Sequence, residues 1–252
     1  LGALLLWWLG ATTAEAATAD QMRTVFLWAS VPGVLAMIAL ALTREPLRPA
    51  PRPDAPAETT ALPPGLKRVL LPVALFAFAN ATDAFIIVKA ARLGVSPILV
   101  PLLWLAIHVI KASTATTGGR LADRYGKRNA LALGWSVYAV TWSAVGFAGS
   151  IPLLFVLAAV YGTSHGLVEG AEKALIAELA AGSGKGKAFG SYNMLIGLAA
   201  LAASATFGVV WDHFGSAVAF AGSGAVALIA AGLLLAVVPG QRPQGNIGRS
   251  RL

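Results

Sequence analysis

Residues 119–128, GRLADRYGKR, form a compact charged block between two apolar stretches, each long enough to cross a lipid bilayer. About 20 apolar residues span roughly 30 Å of hydrocarbon as a helix. Backbone surrounded by lipid must satisfy its own hydrogen bonds, which restricts spanning structures to helices and closed barrels. Stretches of suitable length run over 24–43, 69–90, 96–116, 129–148, 152–175, 189–211 and 216–238, and LGALLLWWL at 1–9 reads as the tail of one more. The expected class is all-α and polytopic, with the lipid bilayer as the principal partner.

Composition enters as a check on that reading. Hydrophobic residues make up 57% of the 252 and charged residues 12%, whereas soluble domains carry about 25% charge. The formal charge of +8 is confined to short blocks between apolar runs, so nucleic acid is not an expected partner. Without cysteine there is no disulfide framework and no thiolate metal site. The three histidines, at 108, 165 and 213, have no metalloprotease spacing. No cofactor, metal or catalytic set is expected, and a membrane-embedded enzyme is the least favoured function. The chain opens on Leu inside an apolar run, with no basic residue before Arg23. A secretory leader would want a basic start, so the chain reads as a segment of a longer protein.

Fourteen of the nineteen Lys and Arg fall on alternate connections: Arg44, Arg48, Arg52, Lys67 and Arg68; Arg120, Arg124, Lys127 and Arg128; Lys185 and Lys187; Arg242, Arg249 and Arg251. The opposite connections, 10–23, 91–95, 149–151 and 212–215, hold only Arg23 and Arg92. Basic loops are retained in the cytoplasm, which puts the C-terminus inside; the expected location is a bacterial cytoplasmic (inner) membrane. Prolines at 46, 49, 51, 53, 56, 63 and 64 mark an extended connector. The expected organisation is therefore 1–43, the end of one transmembrane half; 44–68, a Pro-rich cytoplasmic loop; 69–238, a six-helix transmembrane domain; and 239–252, a cytoplasmic tail.

Within the charged block, Gly118 and Gly119 leave room for close helix approach, and Gly126 permits a tight turn. Asp123 suits the free amides of a helix N-terminus, while Arg124, Lys127 and Arg128 suit headgroups and carboxylates. The order Gly119-Arg120-Leu121-Ala122-Asp123-Arg124-Tyr125-Gly126-Lys127-Arg128 resembles the cytoplasmic loop motif of the major facilitator superfamily, G-x-L-a-D-r-x-G-r-k. The family carries it between its second and third helices and again between its eighth and ninth, with a long loop joining two six-helix halves. A Pro-rich loop two spans before the block and four spans after it match the second copy. The resemblance then makes 1–9 the end of the fifth helix, 24–43 the sixth, 69–90 the seventh and 216–238 the twelfth. It implies a six-helix half plus one or two helices of the preceding half, with helices one to four absent. It also implies that Gly119, Asp123, Arg124, Gly126, Lys127 and Arg128 take part in gating, Asp123 meeting the start of the fifth helix.

Ionisable groups inside spans are costly and mark function or interhelical bonding. Asn80 and Asp83 share a face of 69–90, with Asp83 about 20 Å from the cytoplasmic end at 1.5 Å per residue; Asp83 either faces a wet cavity or satisfies a neighbouring helix or Lys89. His108 and Lys111 share a face of 96–116. Tyr161, His165, Glu169 and Glu172 follow at spacings of four, four and three, a polar stripe that should face protein or a wet cavity, with Glu172 and Lys173 expected near the interface. Tyr192 and Asn193 make a smaller polar patch. Trp211 is expected as an interfacial anchor, the other tryptophans as packing. The leading expectation is transport of a small solute by alternating access; carboxylates and histidine permit proton coupling without demanding it. The alternative is a non-transporting membrane interaction protein or a split transporter half.

Overall fold

The computed structural model describes residues 7–8, 19–43, 62–180 and 185–240. Most of the apolar start, the connector up to residue 61 and the tail from 241 lie outside the described residues. Among the described residues the secondary structure is helical, with no strand. The helices are α1 (Ala19–Leu42), α2 (Pro64–Ala79), α3 (Ala84–Arg92), α4 (Val100–Tyr125), α5 (Lys127–Gly146), α6 (Ile151–Leu179), α7 (Lys185–Phe214) and α8 (Ser216–Val237), with a 3₁₀ turn at Pro97–Leu99 before α4.

The chain divides into two compact units, residues 1–57 with 94–104, and residues 58–93 with 105–252. In the first, α1 is 24 residues long and carries its apolar side chains, Phe26, Leu35 and Ile38 among them, exposed. Asp20 pairs with Arg23 at 2.9 Å across its first turn.

The second unit is a bundle built around α5. That helix packs on α6 and α8, α2 packs on α7 and α8, and α7 packs on α8. Among the described residues, six segments are long and apolar enough to cross a membrane: Ala19–Leu42, Pro64–Arg92, Pro97–Tyr125, Ile151–Leu179, Lys185–Phe214 and Ser216–Val237. The 20-residue α5 is not among them. Its neighbours enclose Trp135, Tyr138, Thr141 and Trp142, so much of its surface meets protein instead of lipid and has less need to be purely apolar.

Contacts define the two ends of this bundle. At one end Lys127 of α5 meets Glu178 of α6 at 2.7 Å, and the Arg128 guanidinium donates to the Val238 carbonyl at the end of α8 at 2.8 Å. Gly65, at the start of α2, lies against Leu179. At the other end Lys89 donates to the Gly146 carbonyl (2.9 Å) and the Ser216 hydroxyl (3.1 Å), and Arg92 lies 5.0 Å from the centre of the Trp211 ring. Trp211 is buried. It packs on Phe85, Phe207 and Phe220, so it belongs to the core and is not the interfacial anchor expected.

Aromatic rings fill the middle. Phe76 stacks on Trp135 at 4.5 Å, Trp142 meets Phe220 at 4.7 Å and Tyr161 at 5.0 Å, and Phe85 meets Phe207 at 4.3 Å. Such pairs contribute about 0.5–1.5 kcal/mol each beyond area burial. Between α4 and α6 the contact is made instead by small residues. A Cβ on Gly118 would stand 2.7 Å from the Leu167 Cα, and one on Gly162 2.6 Å from the Ile107 carbonyl oxygen. Backbones this close are typical of helix pairs in lipid, where small residues permit dispersion contact.

Candidate polar cavity and its supporting turns

The stretch expected to form one helix over 69–90 is two. α2 ends at Ala79, residues 80–83 turn, and α3 starts at Ala84. Interrupting a helix inside lipid frees carbonyls that must find donors. The Ala79 carbonyl accepts from the Tyr138 hydroxyl at 2.9 Å and from the Ser223 hydroxyl. Donors from α5 and α8 therefore hold the break open.

Asp83, the last residue of the break, accepts a hydrogen bond from the Tyr161 hydroxyl. The same hydroxyl lies 2.7 Å from His165 Nε2. Since its proton goes to Asp83, its oxygen accepts from His165, which places a proton on Nε2. Of the alternatives, Asp83 satisfies a neighbouring helix, through Tyr161 of α6, and not Lys89, which is engaged by Gly146 and Ser216 at the bundle end.

Farther along α6, Glu169 is held between two ammonium groups, Lys111 at 2.9 Å and Lys173 at 2.9 Å. Glu172 accepts from the Tyr192 hydroxyl at 2.7 Å and is only 8% exposed. Tyr192 of α7 covers it, so whatever its depth along α6 this carboxylate faces protein.

These groups converge on a cavity of about 330 Å³ between α2, α4, α6 and α7, lined by Asn80, Lys111, His165, Glu169, Glu172, Lys173 and Tyr192 with Val73, Phe76, Ala77, Val168 and Ile196. A second cavity of about 490 Å³ between α4 and α6 shares Lys111, Glu169 and Lys173 and adds His108. Asp83 and Tyr161 line neither and connect to the first through His165. A third cavity, about 230 Å³ between α2, α7 and α8, is apolar apart from Thr206 and Ser223.

The charged block forms the α4–α5 turn. Gly126 has φ +86°, a conformation that a side chain resists. Arg124 lies over the Tyr125 ring at 5.3 Å, and Lys127 and Arg128 make the two contacts given above. Asp123 lies within the last turn of α4, not at a helix N-terminus, and its side chain is exposed. Gly118, not Gly119, makes the helix crossing; a Cβ on Gly119 would meet open space.

The sequence reading did not single out Tyr138 or Ser223 as site residues. A tyrosine in mid-span could have prompted a search for its acceptor, whereas a lone serine among alanines and glycines carries no such signal.

Comparison with known proteins agrees with this architecture. A chain described as an uncharacterized MFS-type transporter from Methanocaldococcus jannaschii is 27% identical over 200 residues, covering 76% of this chain and 50% of that protein. The chain thus spans about half the length of the curated relative it matches. The family model of the Major Facilitator Superfamily matches residues 73–251, most of the bundle unit and the tail. With the apolar all-α bundle and the motif turn at Gly119–Arg128, that match shows that the chain belongs to the major facilitator superfamily.

Proposed function

We propose that the chain supplies one transmembrane half of a secondary transporter that moves a small solute by alternating access. The observation that carries this is the 330 Å³ cavity, where polar side chains from the α2–α3 break, α4, α6 and α7 gather in an otherwise apolar bundle. Desolvated groups of this kind are retained in membrane helices where they serve a pathway. Transporters of this type place the solute between two repeats near the bilayer midplane, so a second half would close the cavity's open side. On this reading residues 69–238 form the domain that lines the path, 1–43 belongs to the preceding half, and 44–68 is the loop between them. The Lys- and Arg-rich end of the bundle faces the cytoplasm, together with the tail, and Asp123 docks against the other half. Cysteines placed at 125 and 149 should label from opposite sides of the membrane.

Proton coupling is assigned to Asp83 with Tyr161 and His165, because a carboxylate, a hydroxyl and an imidazole are joined there in one hydrogen-bonded chain. The test is solute flux into proteoliposomes across pH, with the transporter complete in both halves. Wild type should show flux that depends on the pH gradient, and Asp83→Asn should retain flux while losing that dependence. No flux above empty vesicles for any solute in a broad panel would end the transport reading. Unchanged pH dependence in Asp83→Asn would end only the assignment to that carboxylate.

A further inference from the structure

The charged groups on the cavity wall are unequally satisfied. Lys111 and Lys173 both reach Glu169, so two ammonium groups share one carboxylate. An ammonium has three donors, and each lysine gives one to Glu169. The acids nearby already have partners of their own: Glu172 is engaged by the Tyr192 hydroxyl and Asp83 by the Tyr161 hydroxyl. A ligand entering the cavity therefore meets two ammonium groups against the one accessible carboxylate of Glu169, an excess of positive charge. All three members of the cluster are accessible, Lys111 at 35%, Glu169 at 48% and Lys173 at 60% exposed, whereas Glu172 is only 8% exposed. Beside them the wall turns apolar, with Val73, Phe76, Val168 and Ile196 facing the same space. A group of one charge next to an apolar wall selects a ligand built the same way, with a few placed polar contacts fixing its orientation.

We infer that this cavity takes a small organic carboxylate with an apolar body, its anionic end held by Lys111 and Lys173 in competition with Glu169. The inference rests on the reading of this cavity as the solute's side of the path. It adds a mechanism for exchange: in the empty cavity Glu169 occupies the lysines in place of the ligand, so they are never left as unpaired charges in a low-dielectric site. On binding, the ligand takes over one or both ammonium groups. The arrangement also makes Glu169 an antagonist of binding, which a purely structural ion-pair cluster would not predict.

The experiment is calorimetric titration of the purified transporter, complete in both halves, in detergent with three probes of one shape: phenylacetate, 2-phenylethanol and phenethylammonium. Phenylacetate should bind at least about ten-fold more tightly than either of the others, since hydrogen bonds to charged groups are each worth about a factor of ten or more. Lys111→Met and Lys173→Met should each weaken phenylacetate by about ten-fold and leave 2-phenylethanol nearly unchanged. Glu169→Gln should tighten phenylacetate several-fold, the sign that separates competition from structural support. Lys173, on the more exposed side of the triad, provides the variant least exposed to a folding defect. Preference for phenethylammonium, absence of binding by all three probes, or weaker phenylacetate binding in a well-folded Glu169→Gln protein would each overturn the inference. Failure here is distinct from failure of the transport reading. Flux of cations or sugars without carboxylates would sink the ligand class and leave transport standing. Lysine-dependent phenylacetate binding with no flux would do the reverse.

Discussion

Two interruptions of helix define this bundle, and they are built from opposite materials. The α4–α5 turn at Gly126 lies at the bundle end that carries Lys127 and Arg128, and it is held by charge: Lys127 on Glu178 and Arg128 on the last carbonyl of α8. The α2–α3 break at Asn80–Asp83 lies at the level of the aromatic core and is held by neutral hydroxyls: Tyr138 and Ser223 on the Ala79 carbonyl, and Tyr161 on Asp83. Where water can solvate the ends, a turn needs only a permissive residue and weak ion pairs. Where it cannot, freed backbone groups must find partners within the protein, here in local bonds such as the Ala81 amide on the Ala79 carbonyl and in hydroxyls from other helices. The first kind of turn is specified locally, the second by tertiary structure.

That contrast is tested most severely at Gly126. Its φ of +86° lies with an extended ψ of 145°, a region that is essentially restricted to glycine and costs a side chain about 1–3 kcal/mol. Gly126→Val should therefore lower the stability of the bundle by about 2–3 kcal/mol, read as a loss of thermal midpoint in detergent. Gly119→Ala, seven residues earlier and in open space, should be nearly silent. Equal effects at the two positions would mean that the turn is not specified by its local backbone.

The same contrast explains what could be read from sequence. The charged turn was legible because glycine and five ionisable residues interrupt an apolar run within 119–128, and because that order is a family signature. The α2–α3 break was not, since 80–83 contains no proline or glycine and its Asn and Asp fit equally well on a continuous helix. The hydroxyls that hold the Ala79 carbonyl there are those of Tyr138, 59 residues on, and Ser223, 144 residues on, and no local pattern encodes a donor so far away. The α6 stripe was visible as a 4-4-3 spacing. Its division into a hydroxyl-linked part at Tyr161 and His165 and an ion-paired part at Glu169 was not, because α4 and α7 supply Lys111 and Tyr192. Trp211 was misjudged for a related reason: nearness to a span end says nothing about whether Phe85, Phe207 and Phe220 pack over the ring. Asp123 fell inside a helix because α4 continues nine residues beyond the apolar run that marked it.

At the break, removing both hydroxyl donors to the Ala79 carbonyl, which leaves only the Ala81 amide at 3.1 Å, should have the intermediate effect. Tyr138→Phe with Ser223→Ala leaves a buried carbonyl without the hydroxyls that hold it, a loss of about 1–2 kcal/mol. Each single change should cost about 0.6 kcal/mol, the average for interhelical hydrogen bonds in membrane proteins. The double variant should also exchange amide hydrogens faster over 79–86, since the turn loses its anchors while the aromatic packing of Phe76 and Phe85 persists. A double variant with wild-type stability and exchange would show that the break is intrinsic to α2 and α3, and the distinction between local and tertiary turns would fail.

The smallest effect belongs to Lys127. Its bond to Glu178 is short at 2.7 Å, yet half of the Glu178 side chain is exposed, and pairs in that setting are worth about 0–1 kcal/mol after side-chain ordering and screening. Lys127→Met should change stability by less than about 0.5 kcal/mol at physiological salt, with the difference from wild type shrinking further as salt rises to about 1 M, where the screening length falls to roughly 3 Å. Arg128→Met should be costlier and less sensitive to salt, because the guanidinium donates directly to the Val238 carbonyl at a helix C-terminus, where a cation also meets the helix dipole. If instead the two variants respond to salt alike, the charged end of the bundle is a diffuse electrostatic cluster, and Arg128 does not cap α8 in any specific sense.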